Sequence, residues 1–379
     1  MSKVTVRVNV SKKDQVVTEI VKPTVENSLL FSPIKIRDLE FKNRAVVSPM
    51  CMYRSEGDGF ANNFHLSHYG QFAIHQAGLI IVEATAVQFN GRLSPQCLGI
   101  WKDDHIPKLK EITDLVHSVG GKIGIQLAHG GRKASMTAGR VATKEEGGWP
   151  DNIIGVTSTP YSEKDPQPRE VSISELQQVI RDFGLAAQRA EQAGFDVVEI
   201  HAAHGYLINC FLSPYTNTRT DIYGGSFENR TRLLSEVAYE IRKYWPAQKP
   251  LFLRISASDW LENGWTVEDS VKLSHKLKDW GIDLLDCSSG GVSPQSFNHP
   301  HPDGWNSEFS KTILESNPNI LVTTVGGIKD PHFAEKLLQS KHADLVFLAR
   351  GFLENPAWVK SAAKEFGIKP DYFQRYGRG

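Results

Sequence analysis

Eight short apolar runs recur along this chain, each ending in glycine or polar residues, and helical patterns separate them. The runs are "AVVSPM" to Met50, "LIIVEATAV" to Val87, "KIGIQLAH" to His129 and "FDVVEIH" to His201. "PLFLRISASD" to Asp259, "IDLLDCSSG" to Gly290, "NILVTTVGG" to Gly327 and "ADLVFLARG" to Gly351 follow. Near-continuous apolar stretches of this length suit strands buried on both faces, the mark of a parallel sheet. Between them, "IPKLKEITDLVHSVGG" sets Ile106, Leu109, Ile112, Val116 and Val119 on one helical stripe that Gly120 and Gly121 stop. A second helix, with Ser172 or Ser174 as N-cap, runs to Gly194, and two more follow in "TVEDSVKLSHKLKDWG" and "DPHFAEKLLQS". Eight strand–helix units predict an α/β fold, a (β/α)8 TIM barrel. An open doubly wound sheet ranks below it, because no early G-x-G-x-x-G turn is present.

Three longer segments, residues 130–173, 206–228 and 291–307, follow strand ends and are expected to form the barrel mouth. The barrel is expected over residues 31–365, with an N-terminal extension at 1–30 and a tail at 366–379. The alternation Val4, Val6, Val8, Val10 reads as a short strand or a flexible extension, without the apolar core of a secretory signal.

Charge and cysteine usage narrow the function. Lys plus Arg and Asp plus Glu are both 43, so no excess charge points to nucleic acid or an anionic membrane. No run approaches the ~18 apolar residues of a membrane span. Four cysteines, Cys51, Cys97, Cys210 and Cys287, show no C-x-x-C spacing and read as reduced thiols of a cytoplasmic protein.

In a parallel barrel, chemistry sits at the carboxyl ends of the strands. Those ends carry Pro49, Met50, Cys51, Glu83, Ala84, Gln126, His129, His201, Arg254, Ser288 to Gly291, Gly326, Gly327, Arg350 and Gly351. Gly326-Gly327 with Arg350-Gly351 suits a phosphate, through backbone N–H groups and a forked guanidinium. Arg254, inside an apolar run, needs an anion: an ion pair with Asp259 or Glu199, or a group that turns negative during reaction. Gln126 offers a donor and an acceptor to a heterocycle edge, or is a satisfied barrel glutamine. Phosphate, amide edge and cation together suggest flavin mononucleotide (FMN). The competing reading makes His201 and His204 half of a metal site in a barrel hydrolase, although no H-x-H or H-E-x-x-H completes it. A non-enzymatic binding role ranks below both.

Longer stretches carry a resemblance. "FKNRAVVSPMCMY" (41–53), "GLIIVEATAV" (78–87), "GKIGIQLAHGGRKA" (121–134) and "AGFDVVEIHAAHGYLINCFLSP" (193–214) are joined by "NTRTDIYGGSFENR" (217–230), "LRISASD" (253–259) and "DLVFLAR" (344–350). In that order, over residues 30 to 365, they resemble the Old Yellow Enzyme family of FMN-dependent ene-reductases, nearest its thermophilic-like, class III subgroup. The resemblance implies that Pro49, Met50, Cys51, Ala84, Gln126, Arg254, Gly326, Gly327, Arg350 and Gly351 bind FMN. Cys51 stands where the classical subgroup has threonine and would tune the flavin. Tyr53, His201 and His204 would hydrogen-bond the substrate carbonyl, Tyr206 would donate the proton, and Lys133 would reach the flavin and substrate region. His204 stands where the classical subgroup has asparagine. In "TRTDIYGGSFENR", Asp221 and Arg230 would pin the loop and Ser226 would cap the next helix.

The terminal "YGRG" is similar to a tail through which subgroup members insert an arginine into a neighbouring subunit, here Arg378 or, second, Arg375; a homodimer or higher oligomer would follow. The multidomain dienoyl-CoA reductase branch, with its iron–sulfur cluster, is excluded by the cysteine count. The implied reaction is ping-pong: NADPH or NADH reduces the flavin, whose N5 then gives hydride to an activated alkene (enone, enal, maleimide or nitroalkene).

Overall fold

The computed structural model describes residues 28–137 and 139–368. Eight strands close a barrel: β1 (Ala45–Val47), β2 (Leu79–Ala86), β3 (Ile123–Ala128), β4 (Val197–Ala202), β5 (Leu251–Ser256), β6 (Leu284–Ser288), β7 (Leu321–Val325) and β8 (Leu345–Leu348). Every neighbouring pair is parallel, and β8 returns to β1. The apolar runs thus become strands at the expected places.

Helices follow the strands in turn: α1 (Asn63–Ile74), α2 (Ile106–Ser118), α3 (Ile173–Gln192), α4 (Phe227–Tyr244), α5 (Val267–Leu277), α6 (Ser307–Ser316), α7 (Pro331–Gln339) and α8 (Trp358–Glu365). Their starts are chemically defined. Ser172 caps α3 in a reciprocal box with Glu175, which settles the choice between Ser172 and Ser174. Ser226 caps α4 by accepting from the Asn229 N–H. Helix α3 ends before Gly194, whose φ of +88° suits the left-handed turn back to β4.

Strand alternation separates two apolar layers. Val47, Ile80, Val82, Ile125, Leu127, Val198, Ile200, Leu253, Ile255, Leu285, Val346 and Leu348 face outward and pack with the helices in one large cluster. Val46, Leu79, Ile81, Val197, Phe252, Leu284, Leu345 and Phe347 face inward and fill the lower barrel. An antiparallel hairpin, Ile34–Ile36 with Leu39–Phe41, adds Ile36 and Phe41 to that lower cluster. Both are buried there, so the amino-terminal end of the barrel is plugged.

Packing reaches beyond residues 31–365 at both ends. The Glu335 carboxylate on α7 accepts from Ser28 Oγ (2.8 Å) and from the Leu29 and Leu30 N–H groups. Phe366 is buried and packs edge-on against Phe31, with ring centroids 5.8 Å apart. The Val4–Val10 segment and the tail arginines, Arg375 and Arg378, lie outside the described residues.

The mouth segments carry their own local order. Residues 130–173 contain the pairs Met136–Thr137 with Arg140–Val141 and Ile154–Gly155 with Arg169–Glu170. Residues 206–228 begin with the short buried helix Leu207–Leu212. Asp221 does hold its loop, through a fork with Arg219, whose Nη1 also donates to the Val156 and Val171 carbonyls. Arg230 ties Leu212 O (2.9 Å) and Gly225 O (2.7 Å).

Candidate active site

Halfway up the barrel the inward positions turn polar. Gln126 and Glu199 are register partners on β3 and β4, and Gln126 Nε2 donates to Glu199 Oε1 at 2.7 Å. Arg254 and Asp286 are register partners on β5 and β6, and Arg254 Nε pairs with Asp286 Oδ2. This corrects the expected partner of Arg254, which is neither Asp259 nor Glu199. Asp259 instead turns away to Ser213 Oγ and the Trp265 N–H. Arg254 Nη2 donates to Ser48 Oγ (2.8 Å), and Thr323 Oγ1 donates to Asp286 Oδ1 (2.8 Å).

Two carboxyls here are pushed toward the neutral form. Burial, then the nearby Asp286 charge, raises Glu199 to about 8, against the pull of Arg254 and Gln126. Its second oxygen has no partner among the described residues. Glu83 on β2 is raised by burial to about 7. It accepts from the Met52 N–H (2.9 Å) and from Tyr69 Oη (3.1 Å), so it anchors the segment carrying Cys51 and Tyr53.

Above this layer lies a cavity of about 230 Å³ lined by Pro49, Cys51, Tyr53, Ala84, Leu93, Gln126, His201, His204, Tyr206 and Arg254. Nine residues singled out in the sequence therefore meet at one place. Leu93, which sequence reading did not raise, is the tenth lining residue. The ring centroids of His201 lie 5.2 Å from His204 and 4.8 Å from Tyr206.

A second cavity, about 520 Å³, shares Tyr53, Leu93 and Tyr206 with the first and adds Lys133, Arg132, Met136 and Tyr161. Met50 does not line either cavity; it packs against the outer core. Gly326, Gly327, Arg350 and Gly351 lie at the ends of β7 and β8, outside both linings.

The two histidines are neutral. Burial, then the His204, Arg254 and Lys133 charges, takes His201 well below its usual range, and similar causes bring His204 down to about 3. Each ring is tied at one nitrogen. His201 Nδ1 accepts from the Ala203 N–H (3.2 Å), which leaves the ring proton on Nε2. His204 Nε2 lies 2.7 Å from Ser288 Oγ, and the His204 N–H donates to Ser256 Oγ (2.9 Å). Burial raises the Tyr206 hydroxyl well above its ordinary value, so it stays protonated. The adjacent Cys97 thiol and then burial do the same for Cys51.

Two of the eight described non-glycine residues with positive φ line the cavity. Tyr53 (φ +54°) and His204 (φ +62°) hold left-handed conformations that cost a non-glycine residue about 1–3 kcal/mol. Ser48, Ser256 and Asp286 were missed by sequence reading. Their signal was the period of two: Ser256 is the next inward position after Arg254.

The donor set fits FMN. Arg254 commits Nε and Nη2 to the protein and leaves Nη1 for the cavity, while Gln126 keeps its carbonyl oxygen. Gly326 and Gly327 both have positive φ, +125° and +66°, the backbone form of an anion-binding concavity. A Cβ on Gly326 would lie 2.8 Å from the Trp305 ring, and one on Gly327 would lie 2.9 Å from Asp303 Cα. The cradle therefore tolerates only glycine. Arg350 is exposed beside it, at the start of the short helix Arg350–Glu354. No group of three or more His, Cys, Asp or Glu among them is placed to hold a metal ion, and no described helix is long and apolar enough to cross a membrane.

Similar proteins carry the same arrangement of chain. An NADPH dehydrogenase of Geobacillus sp. (strain WCH70) is 46% identical over 93% of this chain and 98% of its own. The solved structure of morphinone reductase in complex with tetrahydroNAD matches with a TM-score of 0.73 at 27% identity, covering 91% of this chain and 93% of that one. A longer protein, 2-naphthoyl-CoA reductase, shares the fold at 24% identity and TM-score 0.81; the 89% of this chain that matches spans 52% of it. The model of the NADH:flavin oxidoreductase / NADH oxidase family matches residues 29–367. This match, rather than any missing ligand, decides between the flavin and metal readings. The chain belongs to that family, the family of Old Yellow Enzyme, and is an FMN-dependent NAD(P)H oxidoreductase.

Proposed function

We propose that the enzyme reduces the carbon–carbon double bond of alkenes activated by a carbonyl or nitro group, in two half-reactions through one site. The observation that carries this reading is the meeting of two neutral imidazoles and one protonated phenol at the cavity beside Arg254 and Gln126. In the assigned roles, Arg254 and Gln126 hold the flavin ring system, Pro49, Met50, Cys51 and Ala84 its edge, and Gly326, Gly327, Arg350 and Gly351 its phosphate. The chemistry that FMN would supply when held there is hydride transfer from NAD(P)H to the β-carbon of the alkene.

The chain's own residues do the rest. An enone oxygen gains negative charge as hydride arrives, so it needs donors aimed at it beforehand. His201 supplies Nε2–H. Among the described residues the Ser288 hydroxyl has no other side-chain partner, and in this reading it donates to His204 Nε2, which leaves the His204 proton on Nδ1. Both rings then polarise the oxygen without surrendering a proton to it. Tyr53, half exposed at the mouth, completes the carbonyl contacts. Tyr206, an acid throughout the neutral range, protonates the α-carbon. The balance is one NAD(P)H and one proton consumed per alkene reduced.

Isotope placement tests this directly. With a nicotinamide deuterated at its transferring position, the label should appear at the β-carbon of 2-cyclohexenone. Reaction in D2O should label the α-carbon. Label from the solvent at the β-carbon would refute the hydride route.

A further inference from the structure

His204 is held in its left-handed conformation by more than its own strand. The ammonium of Lys133, on the segment after β3, donates to His204 O at 2.8 Å and to Gly291 O, after β6, at 3.2 Å. The two segments that it bridges are in backbone contact. A Cβ on Gly205 would lie 2.1 Å from Gly291 O, and one on Gly291 would lie 2.5 Å from His204 Cα. Gly205, Gly290 and Gly291 all have positive φ, +73°, +71° and +99°. Two peptide carbonyls therefore crowd one another, and a single cation sits between them. A positive charge shared by two carbonyl oxygens gives bonds roughly twice as strong as neutral ones. The same ammonium lies 4.4 Å from the ring centre of Tyr161 and 5.2 Å from that of Tyr206.

We propose that Lys133 is a positioning residue for the oxyanion site: it fixes the His204 peptide, and through it aims the imidazole at the substrate oxygen. This rests on the alkene-reduction reading above. The point of leverage is the peptide itself. His204 carries φ +62° without being glycine, so a backbone released from the cation relaxes toward the ordinary negative-φ region. Ser256 still holds the His204 N–H and Ser288 the ring, but neither touches its carbonyl. Among these contacts, the one that bears on the oxyanion donors is the bond from Lys133 to His204 O.

The clamp is also sensitive to pH. Burial, with Arg132 beside it, brings Lys133 down to about 8, against the pull of Cys210 and Asp165. The groups facing it are Arg132 on its own segment, Tyr161 and Asp165 from residues 157–165, His201 on β4, and His204, Tyr206 and Cys210 after β4. His204 is already neutral well below this range. As pH rises through about 8, Lys133 loses its charge and the clamp weakens.

The test uses NADPH-reduced holoenzyme, mixed anaerobically with either 2-cyclohexenone or ferricyanide. The enone needs a polarised oxygen; ferricyanide takes electrons without one. Lys133→Met should slow reoxidation by the enone by up to about 10²-fold, the scale of a misaligned catalytic group, and leave ferricyanide reoxidation unchanged. Lys133→Arg should restore part of the enone rate. In the parent enzyme the enone rate should fall as pH rises through about 8, and Lys133→Met should show no such fall. Equal slowing with both oxidants, or an undiminished enone rate, would overturn the proposal. If Lys133→Met loses FMN, the parent pH profile decides, and a profile without that fall overturns it. Failure of the parent enzyme to react with any enone would instead overturn the alkene-reduction reading.

Discussion

The lower and upper halves of the barrel interior are built from the same strands with the same alternation, yet they hold opposite kinds of residue. Below, Val197, Phe252, Leu284 and Leu345 meet the hairpin residues Ile36 and Phe41 in a dry cluster. Above, one step of two residues along their strands, Glu199, Arg254 and Asp286 follow, with Gln126 beside Glu199 and Thr323 beside Asp286. The lower half closes the barrel. The upper half keeps buried charge and strained backbone around a cavity, which costs stability and is retained where ligands bind.

That contrast can be broken from above. The largest effect is expected from Tyr206→Phe, which should slow the alkene half-reaction by about 10²–10⁴. Flavin reduction by NADPH should survive, so stopped-flow measurement of both halves separates an acid from a general positioning role. Asp286→Ala should come next, at about 3–5 kcal/mol of unfolding free energy, because it leaves Arg254 buried without its anion. Denaturant titration measures it, and retained FMN reports whether Arg254 still serves the site.

From below, Leu284→Ala should cost about 2–5 kcal/mol of stability and leave both half-reaction rates unchanged. A rate loss there would mean the halves are not separable. The smallest effect concerns pH. Glu83 is raised to about 7 when folded, above its unfolded value, so the folded state holds the extra proton. Its contribution is full below the unfolded value and is lost as pH rises through about 7. Between pH 5 and 8 the loss is on the order of 2 kcal/mol, and Glu83→Gln should remove that part of the pH dependence in parallel melts.

Legibility in the sequence divided along the same line. Buried strands announce themselves as apolar runs, and their order along the chain is the order around the barrel, so the ring of strand ends followed. Which residues pair across strands did not. Arg254 was expected to meet Asp259, five residues on, or Glu199; it meets Asp286, because parallel register sets these two side by side on β5 and β6. Ser288, already placed at a strand end, and Ser256 steer His204, yet Ser256 in its apolar run is silent until inward and outward positions are known. Glu83 stood among the strand-end residues without a role, whereas it ties the backbone beneath Cys51 and Tyr53. The left-handed turn at His204 had a trace in the flanking Gly205. Its clamp by Lys133, 71 positions away, had none.

The most direct test of the central claim is an anaerobic titration of the holoenzyme. NADPH should bleach the flavin absorbance, and one equivalent of 2-cyclohexenone should restore it while yielding one equivalent of cyclohexanone. A flavin that NADPH bleaches but no enone, enal, maleimide or nitroalkene restores would contradict it.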